Sequence, residues 1–99
     1  MSQERVILDL DERGHGSFFL YEGDQQIGEM KILLKEKLLT VLHTEVDPLF
    51  AGKGKAKLLL DHMVAHATGD GLKVRPLCPY VLAEFKRHPD TYGNIWHLH

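Results

Sequence analysis

The sequence predicts an α+β fold, an α/β sandwich in which an antiparallel four-strand meander is followed by a helix, a parallel fifth strand and a short C-terminal helix. Three observations carry this expectation. Apolar residues alternate with polar ones along four successive stretches within residues 5–46. A run with the three-and-four spacing of an amphipathic helix follows over residues 56–67. A short apolar stretch over 72–77 then leads into Pro79, a residue suited to the first position of a second helix. With 99 residues the chain is expected to form one domain around one modest core.

Arg5 to Leu10 reads as the first strand, with Val6, Leu8 and Leu10 on one side and Ile7 and Asp9 on the other. Arg13-Gly14-His15-Gly16 turns the chain into a second strand, Ser17 to Tyr21, which ends at the hairpin signal Glu22-Gly23-Asp24. The third strand, Ile27 to Leu34, sets Met30, Ile32 and Leu34 against Glu29, Lys31 and Leu33, and Lys35-Glu36-Lys37 reverses it. Strict alternation in the fourth strand, Leu38 to Val46, puts Leu38, Leu42 and Val46 on one face and Leu39, Val41, His43 and Glu45 on the other. It is expected to be buried on both sides.

In the helix, Ala56, Leu59, Leu60, Met63, Val64 and Ala67 form the apolar face, Asp61, His62 and His66 lie off it, and Leu58 points to the polar side. Gly69-Asp70-Gly71 ends it. Leu72 to Leu77 is the fifth strand, parallel to the fourth because a helix joins them. Cys78 is expected to occupy or adjoin the cap of the last helix, Tyr80 to Arg87, and the tail 91–99 shows no periodicity, although Trp96 suits an anchor on the core. No internal repeat, low-complexity tract or linker interrupts the chain.

Composition removes several function classes. A hydrophobic fraction of 43% beside 26% charged residues fits a folded chain, and a net charge of −2 argues against general binding to nucleic acid. No apolar run is long enough to span a bilayer, and Met-Ser-Gln-Glu-Arg does not read as a signal peptide, so a cytoplasmic location is expected with no membrane partner. The one cysteine agrees with a reducing compartment. Of the seven histidines, His62 and His66 have the spacing of a metal pair but no completing ligands, so no metal is expected; His97 and His99 in the tail invite adventitious nickel binding.

The loop Val46-Asp47-Pro48-Leu49-Phe50-Ala51-Gly52-Lys53-Gly54-Lys55-Ala56 organises the chain. A strand ends there and a helix starts, and glycines allow an anion to approach the unpaired N–H groups of a helix start. Lys53, Lys55 and Lys57 add positive charge where the helix dipole disfavours it, which suggests a phosphate or pyrophosphate guest. A Gly-x-Gly also describes a flexible turn. The pattern matches neither common phosphate fingerprint, since no Gly-x-x-x-x-Gly-Lys-Ser/Thr occurs and position 57 is Lys where Gly-x-Gly-x-x-Gly needs glycine.

From Ser17 to His88, the pattern resembles compact members of the GNAT superfamily of acetyl-CoA-dependent N-acetyltransferases. Val46-Asp47-Pro48, Gly52-x-Gly54-x-Ala56 and Cys78-Pro79-Tyr80-Val81 with His88-Pro89 carry the resemblance. It implies a minimal acetyl-CoA-binding domain whose cofactor pyrophosphate rests on Gly52, Lys53, Gly54, Lys55 and Ala56, with Val46 and Tyr80 also at the cofactor and the pantetheine arm between strands four and five. Two departures are evident: Ala51 stands where the superfamily has Gln or Arg, and its tyrosine acid on the last helix corresponds to Phe85 or to nothing. The helices usually inserted after the first strand and the final hairpin are absent, which leaves the acceptor side open and the acceptor amine unread.

Acetyl transfer to an amine needs a proton acceptor for the amine and a proton donor for the departing thiolate. His43 and Glu45 are the candidate bases, directly or through water. His43 equally suits a satisfied core histidine, and Glu45 a partner for Lys31 across the hairpin. Cys78, at a helix N-terminus that favours a thiolate, is a candidate nucleophile or acid, with a buried small apolar residue as the alternative. Tyr80 is the other candidate acid. Beside the acetyltransferase reading stand a CoA or acyl-CoA-binding module without chemistry and a protein-interaction domain.

Overall fold

A computed structural model describes residues 3–98; the expectations for Met1, Ser2 and His99 lie outside the described residues. The elements are β1 (Glu4–Leu10), β2 (His15–Glu22), β3 (Gln25–Lys35), β4 (Leu38–Val46), a 3-10 turn (Pro48–Phe50), α1 (Lys55–Asp70), β5 (Lys73–Pro76), α2 (Pro79–Arg87) and α3 (Pro89–Tyr92). The strands form one sheet in chain order, antiparallel through β4, with β5 parallel to β4. The meander, the helical crossover and the parallel fifth strand are all as the sequence predicts.

Helices cover one face of this sheet. Phe18 and Leu20 of β2, Met30 and Ile32 of β3, and Leu39 and Val41 of β4 are buried against Leu59, Leu60, Met63 and Ala67 of α1. Each of these side chains larger than Ala67 contributes roughly 1.5–3 kcal/mol on leaving water. Leu58 is half-buried and joins the core, so the neighbouring structure covers it. Gly28 lets α1 approach: a Cβ there would stand 3.3 Å from Leu59 Cδ1 and 3.3 Å from the Glu45 carbonyl oxygen.

One register shift changes the reading of β4. Lys31 pairs with His43 but Ile32 pairs with Val41, so Leu42 is an extra residue, a β-bulge, and the alternation resets across it. Leu39 and Val41 face the helices before the bulge; Thr44, opposite the buried Met30, faces them after it. His43 and Glu45, opposite Lys31 and Glu29, therefore lie on the open face, not on the face of Leu39 and Val41 as strict alternation predicts. Burial on both sides holds only over Leu39–Val41; Leu42 is 46% exposed, and His43 and Glu45 are exposed.

The tail is more ordered than its composition suggests. Tyr92 stacks on Phe85 with ring centroids 4.8 Å apart, and Trp96 meets Phe85 edge-on at 5.7 Å. Trp96 also bridges to Val74, where the Val74 N–H donates to the Ile95 carbonyl and the His97 N–H donates to the Val74 carbonyl. Trp96 anchors the tail, as expected, and the tail covers part of the outer edge of β5.

Candidate active site

The site begins where β4 and β5 part. Their pairing stops at Val41 and Pro76, and the Val41 carbonyl accepts from both Leu77 N–H (3.0 Å) and Cys78 N–H (2.9 Å). Pro79 starts α2 at that point, so β5 cannot continue alongside β4. Leu42 to Val46 consequently has no ladder partner on the β5 side, and a gap opens toward the C-terminal end of β4.

Beyond this gap the chain makes a 3-10 turn, in which the Asp47 carboxylate accepts from Leu49 N–H at 2.9 Å. The glycine loop follows. Gly52 and Gly54 have φ of 77° and 74°, and a side chain at either would project into open space, so backbone conformation is what requires glycine there. Gly54 caps α1 without a side chain, and the Gly54 carbonyl accepts from Leu58 N–H at 3.1 Å. Among the described residues, none of the N–H groups from Gly52 through Lys57 finds an acceptor in the protein. A run of unpaired amides at a helix start is the physical basis of anion binding.

The three lysines do not act together. Lys55 Nζ donates to Glu4 Oε2 and lies 3.6 Å from Glu22 Oε1, while Lys57 Nζ donates to Asp61 Oδ1 at 2.8 Å. Both ammonium groups are held above their ordinary pKa by these bonds, Lys55 by Glu4 first and Lys57 by Asp61. Lys53, 5.8 Å above the Phe50 ring, has no carboxylate partner among the described residues. The expectation that all three lysine side chains bias the loop toward an anion therefore narrows to Lys53; Lys55 and Ala56 still present their N–H groups there.

The candidate chemical groups divide between the two faces of β4. On the helix side, Cys78 is 2% exposed, caps α2 through its backbone, and donates from Sγ to Thr44 Oγ1 at 3.3 Å. Tyr80 is half-buried in the first turn of α2; burial, reinforced by Glu84, pushes its phenol above the ordinary value, so it is protonated at neutral pH. On the open face, His43 Nε2 lies 3.6 Å from Glu45 Oε2, with the two side chains 58% and 64% exposed. Neither is a core residue, and Glu45 stands opposite Glu29 rather than Lys31.

Sequence reading missed Ser17, Glu29 and Thr44. Buried Ser17 donates its hydroxyl to Glu29 Oε2 at 2.7 Å, and Glu29 joins Glu45, Val46 and Asp47 around an open pocket of about 240 Å³. The available signal was a serine and a glutamate within strands, where buried polar side chains need partners. His62 and His66 bring no ligand set together, since His66 lies against Phe18 and Asp70, and no group of metal-ligating residues occurs among the described residues. No helix there is long and apolar enough to cross a membrane.

Solved structures share this architecture. A GCN5-like protein from Staphylococcus aureus is 20% identical with a TM-score of 0.66 over 92% of this chain and 87% of that one. IAA acetyltransferase from Bacillus cereus is 17% identical with a TM-score of 0.64 over 90% and 75%. A ribosomal-protein alanine N-acetyltransferase from Escherichia coli is 20% identical with a TM-score of 0.60; the match covers 65% of this chain but only 41% of that enzyme. These likenesses establish the fold. No curated protein sequence matches the chain significantly. The model of the GCN5-related N-acetyltransferase family matches residues 17–95, from β2 to the tail that covers β5, and the chain belongs to that family.

Proposed function

We propose that residues 1–99 form one minimal acetyl-CoA-binding domain that transfers the acetyl group to an amine. The observation that carries this reading is the run of unpaired amides from Gly52 through Lys57, set beside the gap between β4 and β5. The amides of Gly52, Lys53, Gly54, Lys55 and Ala56 hold the pyrophosphate, Lys53 supplies side-chain charge, and Val46 and Tyr80 flank the arm that enters the gap. Acetyl-CoA supplies the thioester. The single free thiol is the basis for placing the protein in the cytoplasm.

The two faces of β4 then have separate tasks. An acceptor amine arrives from the open face, where His43, with Glu45 beside it, takes its proton. The CoA thiolate departs toward the helix side, where Cys78 and the protonated Tyr80 lie. A base on the attacking side and an acid on the leaving side suit direct transfer. Burial of Cys78 makes it a poor nucleophile toward an incoming thioester, so we assign it to the acid side.

The exposure of His43 and Glu45 also supports a second reading, a CoA-binding module without chemistry. Acetyl-CoA is offered with a panel of primary amines and basic peptides while free CoA thiol is recorded. Amine-dependent thiol release, lost in His43→Ala with acetyl-CoA affinity retained, supports the transferase. Wild-type binding without thiol release across the panel supports the module.

A further inference from the structure

Lys55 is the first residue of α1, yet its side chain leaves the loop for the far edge of the sheet. Glu4, at the start of the edge strand β1, stands directly opposite Glu22 at the end of β2. Like charges in register across two strands repel, and among the described residues no cation of the hairpin pairs with either. Lys55 Nζ does so from 51 residues away in sequence, bonded to Glu4 Oε2 and 3.6 Å from Glu22 Oε1. The three side chains are 12%, 26% and 32% exposed, so this clasp is more sheltered than an ordinary surface pair.

Its position gives it a consequence for the loop. Gly52 and Gly54 place no side chain against the protein, and the amides from Gly52 through Lys57 have no acceptors to fix their directions. The clasp holds the residue immediately after Gly54. We propose that Lys55 is a positioning residue that fastens the start of α1 to the β1–β2 edge and so aims these amides at the anion, with Glu4 and Glu22 as its anchors, rather than a ligand of the anion itself. The inference rests on the reading of this loop as the acetyl-CoA site.

The two roles predict opposite signs for the glutamate pair. Acetyl-CoA affinity is measured by calorimetry on the full chain for wild type, Lys55→Met, the pair Glu4→Gln with Glu22→Gln, and the triple variant, well below each melting point. A positioning role predicts that Lys55→Met and the glutamate pair each weaken binding by roughly three- to fivefold. The triple variant is then no weaker than either, and the salt dependence of binding is unchanged. A phosphate-ligand role predicts weaker, less salt-sensitive binding for Lys55→Met and tighter binding for the glutamate pair, because the lysine is released toward the anion. That result overturns the proposal, as does wild-type affinity in all variants with only the melting points lowered. If wild type itself does not bind acetyl-CoA, the cofactor reading fails first and this inference with it.

Discussion

Replacing Gly54 separates the loop's conformation from its charge. Gly54 has φ of 74° and ψ of 16°, and a side chain there would meet no protein atom within 4 Å. The cost to the fold is therefore left-handed backbone strain alone, about 1 kcal/mol, and Asn and Asp tolerate that conformation better than most residues. Gly54→Asn and Gly54→Asp should both melt a few degrees lower, on a scale of about 4–8 °C per kcal/mol for a chain of this size. Their binding should diverge. A carboxylate about 5 Å from a phosphate charge, at an effective dielectric near 20, is opposed by about 3 kcal/mol, which salt at this exposed loop reduces to about 1–2 kcal/mol. Gly54→Asp should consequently bind acetyl-CoA about tenfold more weakly than Gly54→Asn. Thermal shift at matched ligand concentrations, followed by calorimetry, measures the difference. Equal affinities in the two variants refute an anion at this loop.

Direct transfer predicts that incubation with acetyl-CoA alone leaves Cys78 unmodified by mass spectrometry; stoichiometric acetyl-Cys78, with ping-pong kinetics, contradicts it. Phe85 is fully buried between Tyr92 and Trp96, so Phe85→Ala should cost about 3–5 kcal/mol in urea unfolding, and a loss below about 1 kcal/mol shows that the tail does not pack as described. Alkali should destabilise the protein. Lys55, raised above its ordinary 10.5 by Glu4, contributes stability that is complete below that value and is lost as pH rises through the higher folded value. Tyr80 is raised above 10.0 by burial, so from there upward the unfolded chain releases its proton before the folded one, again favouring unfolding. Urea midpoints should fall as pH rises past these values, and less steeply in Tyr80→Phe; a flat profile contradicts both assignments.

The meander and crossover were legible because alternation, helical spacing and glycine-bearing turns are local signals that agree with one another. The bulge at Leu42 was not, since one extra residue in a strand leaves no mark in composition and is fixed by pairing with β3. Missing it put His43 and Glu45 on the wrong face relative to Leu39 and Val41 while keeping the two residues together. Lys55 failed for a related reason: its nearest charges in sequence are other lysines, whereas its partners come from β1 and β2. The glycine loop was readable as a helix start. That its amides lack acceptors is a fact of the folded backbone.

The proposed function depends above all on the amides from Gly52 through Lys57 holding the pyrophosphate of acetyl-CoA. A titration of isotopically labelled protein with acetyl-CoA, followed amide by amide by NMR, tests it without any acceptor. These resonances and those of Thr44–Val46 should move together along one binding curve, with a smaller response to ADP that spares Thr44–Val46. Saturating acetyl-CoA that leaves the loop unmoved, or that shifts only the distant turn at Asp11–His15, contradicts it.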